Sequence, residues 1–249
     1  MTLLIDPWFY LTAIPAVLCF GIAKGGFGAA LGMISVPLMA LVISPLQAAA
    51  ILLPILIVMD VFVVKTYWGR FDRTSLVILL PSAVLGVVVG YFTADFLSEN
   101  VLRGIVGAIS LAFGVQNLLG IKGVVGEEHH KGVGGVCGAL AGFTSYHIHA
   151  GGPPFTIYLL PKRLNPLLFA GTAGVFFAVV NAVKLVPYYA LGQLVTDTLL
   201  VSLVLAPLAP IGVSLGHYLV KKTKPTLYYN IVSICLFLVG LKLLFDALS

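Results

Sequence analysis

Eight long apolar runs, nearly free of charge, succeed one another along this chain, at residues 7–43, 46–68, 74–94, 101–119, 132–161, 167–189, 197–220 and 227–246. About 20 apolar residues span a bilayer as a helix, and lipid tolerates only backbones that satisfy their own hydrogen bonds. The runs therefore predict an all-α polytopic membrane protein, with the lipid bilayer as its first partner. Composition removes the soluble alternative: 60% of the residues are hydrophobic and 9% charged, whereas soluble domains carry about 25% charged residues. The longest polar stretch, GIKGVVGEEHHK at 120–131, is too short to fold alone.

The remaining compositional features exclude other classes. The N-terminus, MTLLIDPWFY, has an acid and no basic residue, so it reads as the start of the first membrane segment and not as a cleaved signal. Cys19, Cys137 and Cys235 stand singly in apolar runs and read as small core residues. The net charge of +5 is spread over short loops, as positive-inside bias requires, and predicts no nucleic-acid partner.

The chain repeats itself. At an offset of 121, Gly21 pairs with Gly142, Pro45-Leu46 with Pro166-Leu167, Ala49 with Ala170, Asp60 with Asn181 and Tyr67 with Tyr188. At an offset of 126, PSAVLGVVVG at 81–90 lies on PLAPIGVSLG at 207–216, and Gly114 on Gly240. Two copies of four segments each follow: an N-terminal transmembrane repeat at 1–120, a cytoplasmic connector at 121–131 and a C-terminal transmembrane repeat at 132–249.

Equivalent loops carry opposite charge bias. Lys65, Arg70 and Arg73 follow the second segment, while the counterpart at 190–197 has no Lys or Arg. Conversely, 95–103 holds one Arg and two acids, against Lys221, Lys222 and Lys224 in its counterpart. Since Lys and Arg mark the cytoplasmic side, the copies are expected upside down to one another. Inversion needs an odd number of crossings per copy, so the first and fifth segments must enter and leave on one side, as glycine-broken re-entrant hairpins or short two-helix pairs. Both termini then lie outside the cytoplasm, in a multi-pass protein of the plasma (inner) membrane.

The breaks are expected at KGGFG (24–28) and HAGGPP (149–154). Gly25, Gly26 and Gly28 would turn the first hairpin, and Gly151, Gly152, Pro153 and Pro154 the second, with Pro at the start of a new half-helix. Half-helix N-termini aimed at the bilayer centre from both sides are the arrangement that places substrate in inverted-repeat transporters. They favour an anion. Lys24 and Phe27 at the first break, and Thr144, Ser145, His147 and His149 at the second, complete a candidate binding set. The histidines either serve the anion and carry protons, or bond carbonyls freed by the break.

Ionisable groups at membrane depth usually face a cavity or a partner. Asp60 and Asn181 sit at equivalent positions, with Lys184 one turn after Asn181. Asp60 either pairs with a lysine or serves transport, and joins His147 and His149 as a proton-coupling candidate. H-x-H without further ligands predicts no metal, the absence of a P-loop excludes ATP hydrolysis by that route, and no cofactor is expected. G-x-x-x-G at Gly86/Gly90 and Gly212/Gly216 predicts close helix packing.

The runs GIAKGGFGAALGMISVPLMAL, GALAGFTSYHIHAGGPPFTIYLLP and FAGTAGVFFAVVNAVKLVPY resemble the TauE/SafE family of sulfite and organosulfonate exporters, and the likeness covers essentially the whole chain. The resemblance implies sulfur chemistry and export. Together the readings predict a secondary transporter, not an enzyme, that exports a small sulfur-containing anion through a centre built from both hairpins. Proton coupling and homo-oligomerisation stay open. A small-anion channel is the nearest alternative. An intramembrane enzyme would need an acid beside His147 and His149, and none is there.

Overall fold

A computed structural model describes residues 6–27, 32, 35–94, 96, 98–120, 130–192 and 194–248. Eleven α-helices run through the described residues: α1 (Pro7–Ile22), α2 (Ser35–Met39), α3 (Pro45–Thr66), α4 (Arg73–Thr93), α5 (Glu99–Leu118), α6 (Lys131–Ile148), α7 (Gly152–Leu159), α8 (Pro166–Ala190), α9 (Thr196–Leu205), α10 (Leu208–Lys222) and α11 (Pro225–Leu248). No strand occurs among them.

The helix starts follow from local chemistry. Asp6, Ser44 and Asn165 each precede a proline, and their side chains accept from Trp8 N at 2.9 Å, Gln47 N at 3.2 Å and Leu167 N at 3.0 Å. Each cap satisfies an amide left free at a helix start, and proline at the first position has no amide to waste. Ser44-Pro45 and Asn165-Pro166 stand 121 residues apart, the offset at which the sequence resembles itself, so the caps fall in that register.

Five stretches are long and apolar enough to cross a membrane: Pro7–Phe27, Gln47–Thr66, Arg73–Thr93, Pro166–Ala190 and Pro225–Leu248. Helices α9 and α10 together make a sixth, bent by 45° where one straight segment was expected at 197–220. The bend falls at Ala206 and Pro207, where Pro207 and, three residues on, Pro210 each lack an amide donor. The equivalent α4 has only Pro81 inside it and stays continuous.

The two glycine-rich segments differ from one another. In the second, α6 stops at Ile148, His149 takes a left-handed conformation (φ 51°) and α7 begins at Gly152. In the first, the expected break at Gly25 and Gly26 does not occur. The coil widens into a π-helical turn over Ala23–Phe27 and continues α1 without interruption. Gly28 lies outside the described residues. The physical reason is the proline pair: Pro153 and Pro154 cannot donate to the preceding turn, whereas Ala23–Phe27 holds no proline and keeps its amides. Gly25 and Gly26 serve packing instead, since a Cβ there would fall 2.2 Å from the Val213 carbonyl oxygen and 2.5 Å from that of Gly216.

Packing joins segments far apart in the chain. Helix α1 and its π turn lie on α10, while α6, which pairs with α1 at the sequence offset of 121, lies on α4; α5 lies on α11, and α3 meets α8. The close approaches recur at equivalent positions. A Cβ at Gly86 would meet the Ala139 carbonyl oxygen at 2.1 Å, and one at Gly212 that of Leu18 at 3.1 Å. The expected role of both G-x-x-x-G pairs therefore holds. Leu85, Val89 and Phe92 on α4, and Leu238 and Phe245 on α11, are exposed. Such a surface suits hydrocarbon and would be a liability in water.

Candidate functional site

The middle of the molecule, where α3 and α8 meet, gathers charged groups that lipid would not tolerate on its own side. Asp60, Lys24, Asn181, Lys184 and His149 are all buried. Burial of this kind demands a partner for each.

Asp60 finds two. One carboxylate oxygen forms an ion pair with the Lys24 ammonium, and the other accepts from Asn181 Nδ2 at 2.8 Å. Lys24 also donates to the Leu56 carbonyl at 3.4 Å. Lys24 reaches Asp60 because the π turn brings it round to α3, and Asn181 reaches Asp60 because the two residues hold equivalent positions on facing helices. The expected pairing of Asp60 with a lysine is present, and the partner is Lys24.

Lys184 is different. It is completely buried, and its hydrogen bonds go to the Ser145 carbonyl at 2.9 Å, Ser145 Oγ at 3.2 Å and His149 Nδ1 at 2.8 Å, all neutral acceptors. The carbonyl of Ser145 belongs to the last turn of α6, where carbonyls lack intrahelical donors and a cation is favoured. His149 accepts from Lys184 at Nδ1, so its Nε2 carries the proton and donates to the Ala49 carbonyl at 3.3 Å. One imidazole thus ties the second hairpin to α3 and orients an ammonium.

The second break is stapled by Thr144. Its hydroxyl lies 2.7 Å from the Leu140 carbonyl and 2.9 Å from that of Ala150, while its own carbonyl accepts from Ala150 N at 3.1 Å. Gly151 lets the turn close against Ser145, because a Cβ there would come within 3.0 Å of Ser145 Cβ and 2.6 Å of the Ala141 carbonyl oxygen. Gly152 opens α7, a helix of eight residues buried throughout. Since Pro153 and Pro154 have no N–H, Gly152 is the amide donor among the first three positions of α7.

The structure brings Lys24, Ser145, His149, Asn181, Lys184 and Asp60 into the centre, with Gly25, Gly26, Gly151 and Gly152 beside them. His147 points elsewhere: its ring packs edge-on against Phe143 at 4.8 Å and Tyr146 at 5.3 Å, and its Nε2 is buried without a partner. Phe27 stacks on Tyr228 at 5.8 Å. Three tyrosines given no role by the sequence complete the frame. Tyr67 donates to the Gly25 carbonyl at 2.5 Å, Tyr188 to that of Tyr146 at 3.2 Å, and Tyr228 to that of Gly26 at 2.8 Å. The first two bonds join residues that pair at the sequence offset of 121, Tyr67 with Tyr188 and Gly25 with Tyr146. The repeat register already paired Tyr67 with Tyr188, and that pairing was the available signal.

Among the described residues no group of three or more His, Cys, Asp or Glu is placed to hold a metal ion. What the centre can do chemically is bind charge: two lysines share it with a single carboxylate. A family model described as Sulfite exporter TauE/SafE matches residues 13–243. No curated protein and no solved structure matches the chain.

Proposed function

Given that the chain belongs to the TauE/SafE sulfite exporter family, we propose that it is a secondary transporter that exports a small sulfur-containing anion, sulfite or an organosulfonate, through the centre formed by Lys24, Asp60, Ser145, His149, Asn181 and Lys184. One observation carries this reading: Lys184 is buried and bonded only to neutral groups, while the carboxylate nearest to hand is committed to Lys24 and Asn181. A buried ammonium without a counter-charge costs several kcal/mol. An anion supplies the missing charge, and oxygens on sulfur accept the hydrogen bonds that Lys184, Ser145 and Gly152 can give.

Transport needs the charge pairs to rearrange. An anion drawn in by Lys184 competes with Asp60 for Lys24, and a carboxylate left without its ammonium in a low-dielectric core is neutralised most cheaply by a proton. Asp60 is therefore the coupling group of this proposal, with His149 beside the path and His147 outside it. In proteoliposomes the wild type should move sulfite faster under an imposed pH gradient than without one. Asp60→Asn should retain sulfite counterflow and lose that dependence. Equal pH dependence in both proteins would remove Asp60 from the coupling.

The alternation follows from the repeat. The exchange of α1 and α6 onto the other copy, and the matched tyrosine bonds, support two copies, 1–120 and 132–249, related by a two-fold axis. Asp60 and Asn181 are equivalent residues that touch, which under such symmetry puts them on the axis. With loop charges setting the sides, the axis lies in the membrane plane and both termini face out of the cytoplasm. Arg70→Cys and Leu191→Cys, each in a background without native cysteines, test this in intact cells. An impermeant maleimide should label position 191 at once and position 70 only after permeabilisation. The opposite pattern, or equal access, would overturn the inversion.

A further inference from the structure

A groove of about 690 Å³ runs between α3 and α8, with Ile57, Val61 and Val64 on one wall, Ala178 and Ala182 on the other, and Lys65 and Trp68 at one end. Asp60 lines its deep end, where the carboxylate is already committed to Lys24 and Asn181. Val61 is 62% exposed, so the groove opens sideways, toward hydrocarbon.

Two departures from the sequence repeat meet in this groove. At the offset of 121, Ala178 and Ala182 pair with Ile57 and Val61. Methyl groups stand where the other segment has branched side chains, and the volume they withhold is open. At the same offset Trp68 pairs with Tyr189, both 78% exposed, whereas Lys65 pairs with Val186. The exposed aromatic, suited to the depth of the lipid head groups, is repeated. The cation is not. Nor does the neighbouring acid cancel that charge: Asp72 caps α4, accepting from Thr74 N at 3.3 Å and Ser75 N at 3.2 Å, and Arg70 and Arg73 flank it.

Resting on the orientation that the loop charges give, we propose that the groove binds an anionic glycerophospholipid of the cytoplasmic leaflet. Its phosphate lies at Lys65, beside the Trp68 indole, and one acyl chain runs inward along Val64, Val61 and Ala182 to the level of Asp60. Length agrees with this. From Ile57 to Trp68 the helix rises roughly 16 Å at about 1.5 Å per residue, close to one leaflet, half of a hydrocarbon core of about 30 Å. Charge agrees as well, because the positive end of the groove is at head-group depth while its deep end, where the carboxylate is paired, meets the end of a hydrocarbon chain. A second copy of the chain seated there through a two-fold axis would instead bring its own Lys65 to the same face.

Photolabelling in phosphatidylcholine nanodiscs tests this. The discs carry a trace of phosphatidylglycerol or of phosphatidylcholine with a diazirine at the end of the same acyl chain, and adducts are mapped by peptide mass spectrometry. Leu85, Val89 and Phe92 on α4, an exposed apolar face, report unselected lipid and serve as the reference. Relative to them, α3 and α8 should be labelled roughly fivefold more by the phosphatidylglycerol probe than by its phosphatidylcholine twin, the equivalent of about 1 kcal/mol for one cation near an anionic surface. Lys65→Val, which copies position 186, should abolish that ratio, and Lys65→Arg should keep it. Ala182→Leu, which fills the groove, should lower labelling of α3 and α8 by both probes and leave α4 unchanged. Lys65 and Ala182 are both exposed, so none of these changes disturbs the core. Equal labelling by the two probes in the wild type, or a preference that survives Lys65→Val, would overturn the proposal. So would labelled α4 beside unlabelled α3 and α8, which would mean that protein covers the groove. No readout involves sulfite, so the lipid site and the anion site stand or fall separately.

Discussion

Lys184→Met should remove the anion site while leaving a folded protein. In the wild type, sulfite that binds only the native state raises thermal stability, by about 2.7 kcal/mol at a concentration of 100 Kd. The substitution keeps an unbranched side chain, one atom shorter, and takes away a buried ammonium whose hydrogen bonds end on neutral groups. Charge-assisted hydrogen bonds contribute about 1.5–3 kcal/mol, so affinity should fall roughly ten- to hundredfold and the sulfite-dependent stabilisation should shrink to about 0.4–1.4 kcal/mol at matched concentration. Without ligand the variant should melt near the wild type, because an uncompensated buried charge has been removed along with its bonds. Thermal melts in detergent, with and without sulfite, decide it. An undiminished sulfite shift would place the anion elsewhere.

Two glycines on one helix should respond in opposite directions to the same added methyl. On α6, a Cβ at Gly142 would fall 1.9 Å from the carbonyl oxygen of Ala83 on α4, while a Cβ at Gly135 meets nothing within 4 Å. Backbone oxygen cannot rotate out of the way, so Gly142→Ala must push α6 off α4. Overpacking of this kind costs about 1–3 kcal/mol, and because the displacement moves Ser145 and His149 away from Lys184, sulfite binding should weaken with it. Gly135→Ala should be neutral or stabilising by up to about 1 kcal/mol, the helix-propensity difference between the residues. Tm measured for both variants checks the pair. Equal effects would mean that the α4–α6 approach is not as close as described.

The same contrast shows how much of this protein its sequence determined. Run length and charge scarcity were enough for the membrane class, since twenty apolar residues have one stable way to cross lipid. The expected segment at 46–68 is α3 (Pro45–Thr66), and the segment at 167–189 is α8 (Pro166–Ala190), because caps and prolines act within one helical turn. Self-comparison then paired Asp60 with Asn181 and Tyr67 with Tyr188 before their contacts were visible. Prolines 153 and 154 located the second break for the same local reason.

Partner choice was decided only in three dimensions. The sequence offers Asp60 a lysine without saying which, and nothing local distinguishes Lys24 from Lys184. Lys24 takes the carboxylate because the coil at Gly25 and Gly26 widens into a π turn against α10, an approach governed by Val213 and Gly216 far along the chain. Lys184 is left with Ser145 and His149 because the second hairpin ends its helix under it. His147 and His149, two residues apart, part company because a left-handed residue turns one ring toward Lys184 while the other stays packed on Phe143. Helix formation is settled by neighbours a few residues away, which a sequence displays. The pairing of buried charges is settled by which helices pack together, and that depends on contacts 36 and 121 residues apart, as between Asp60 and its two partners.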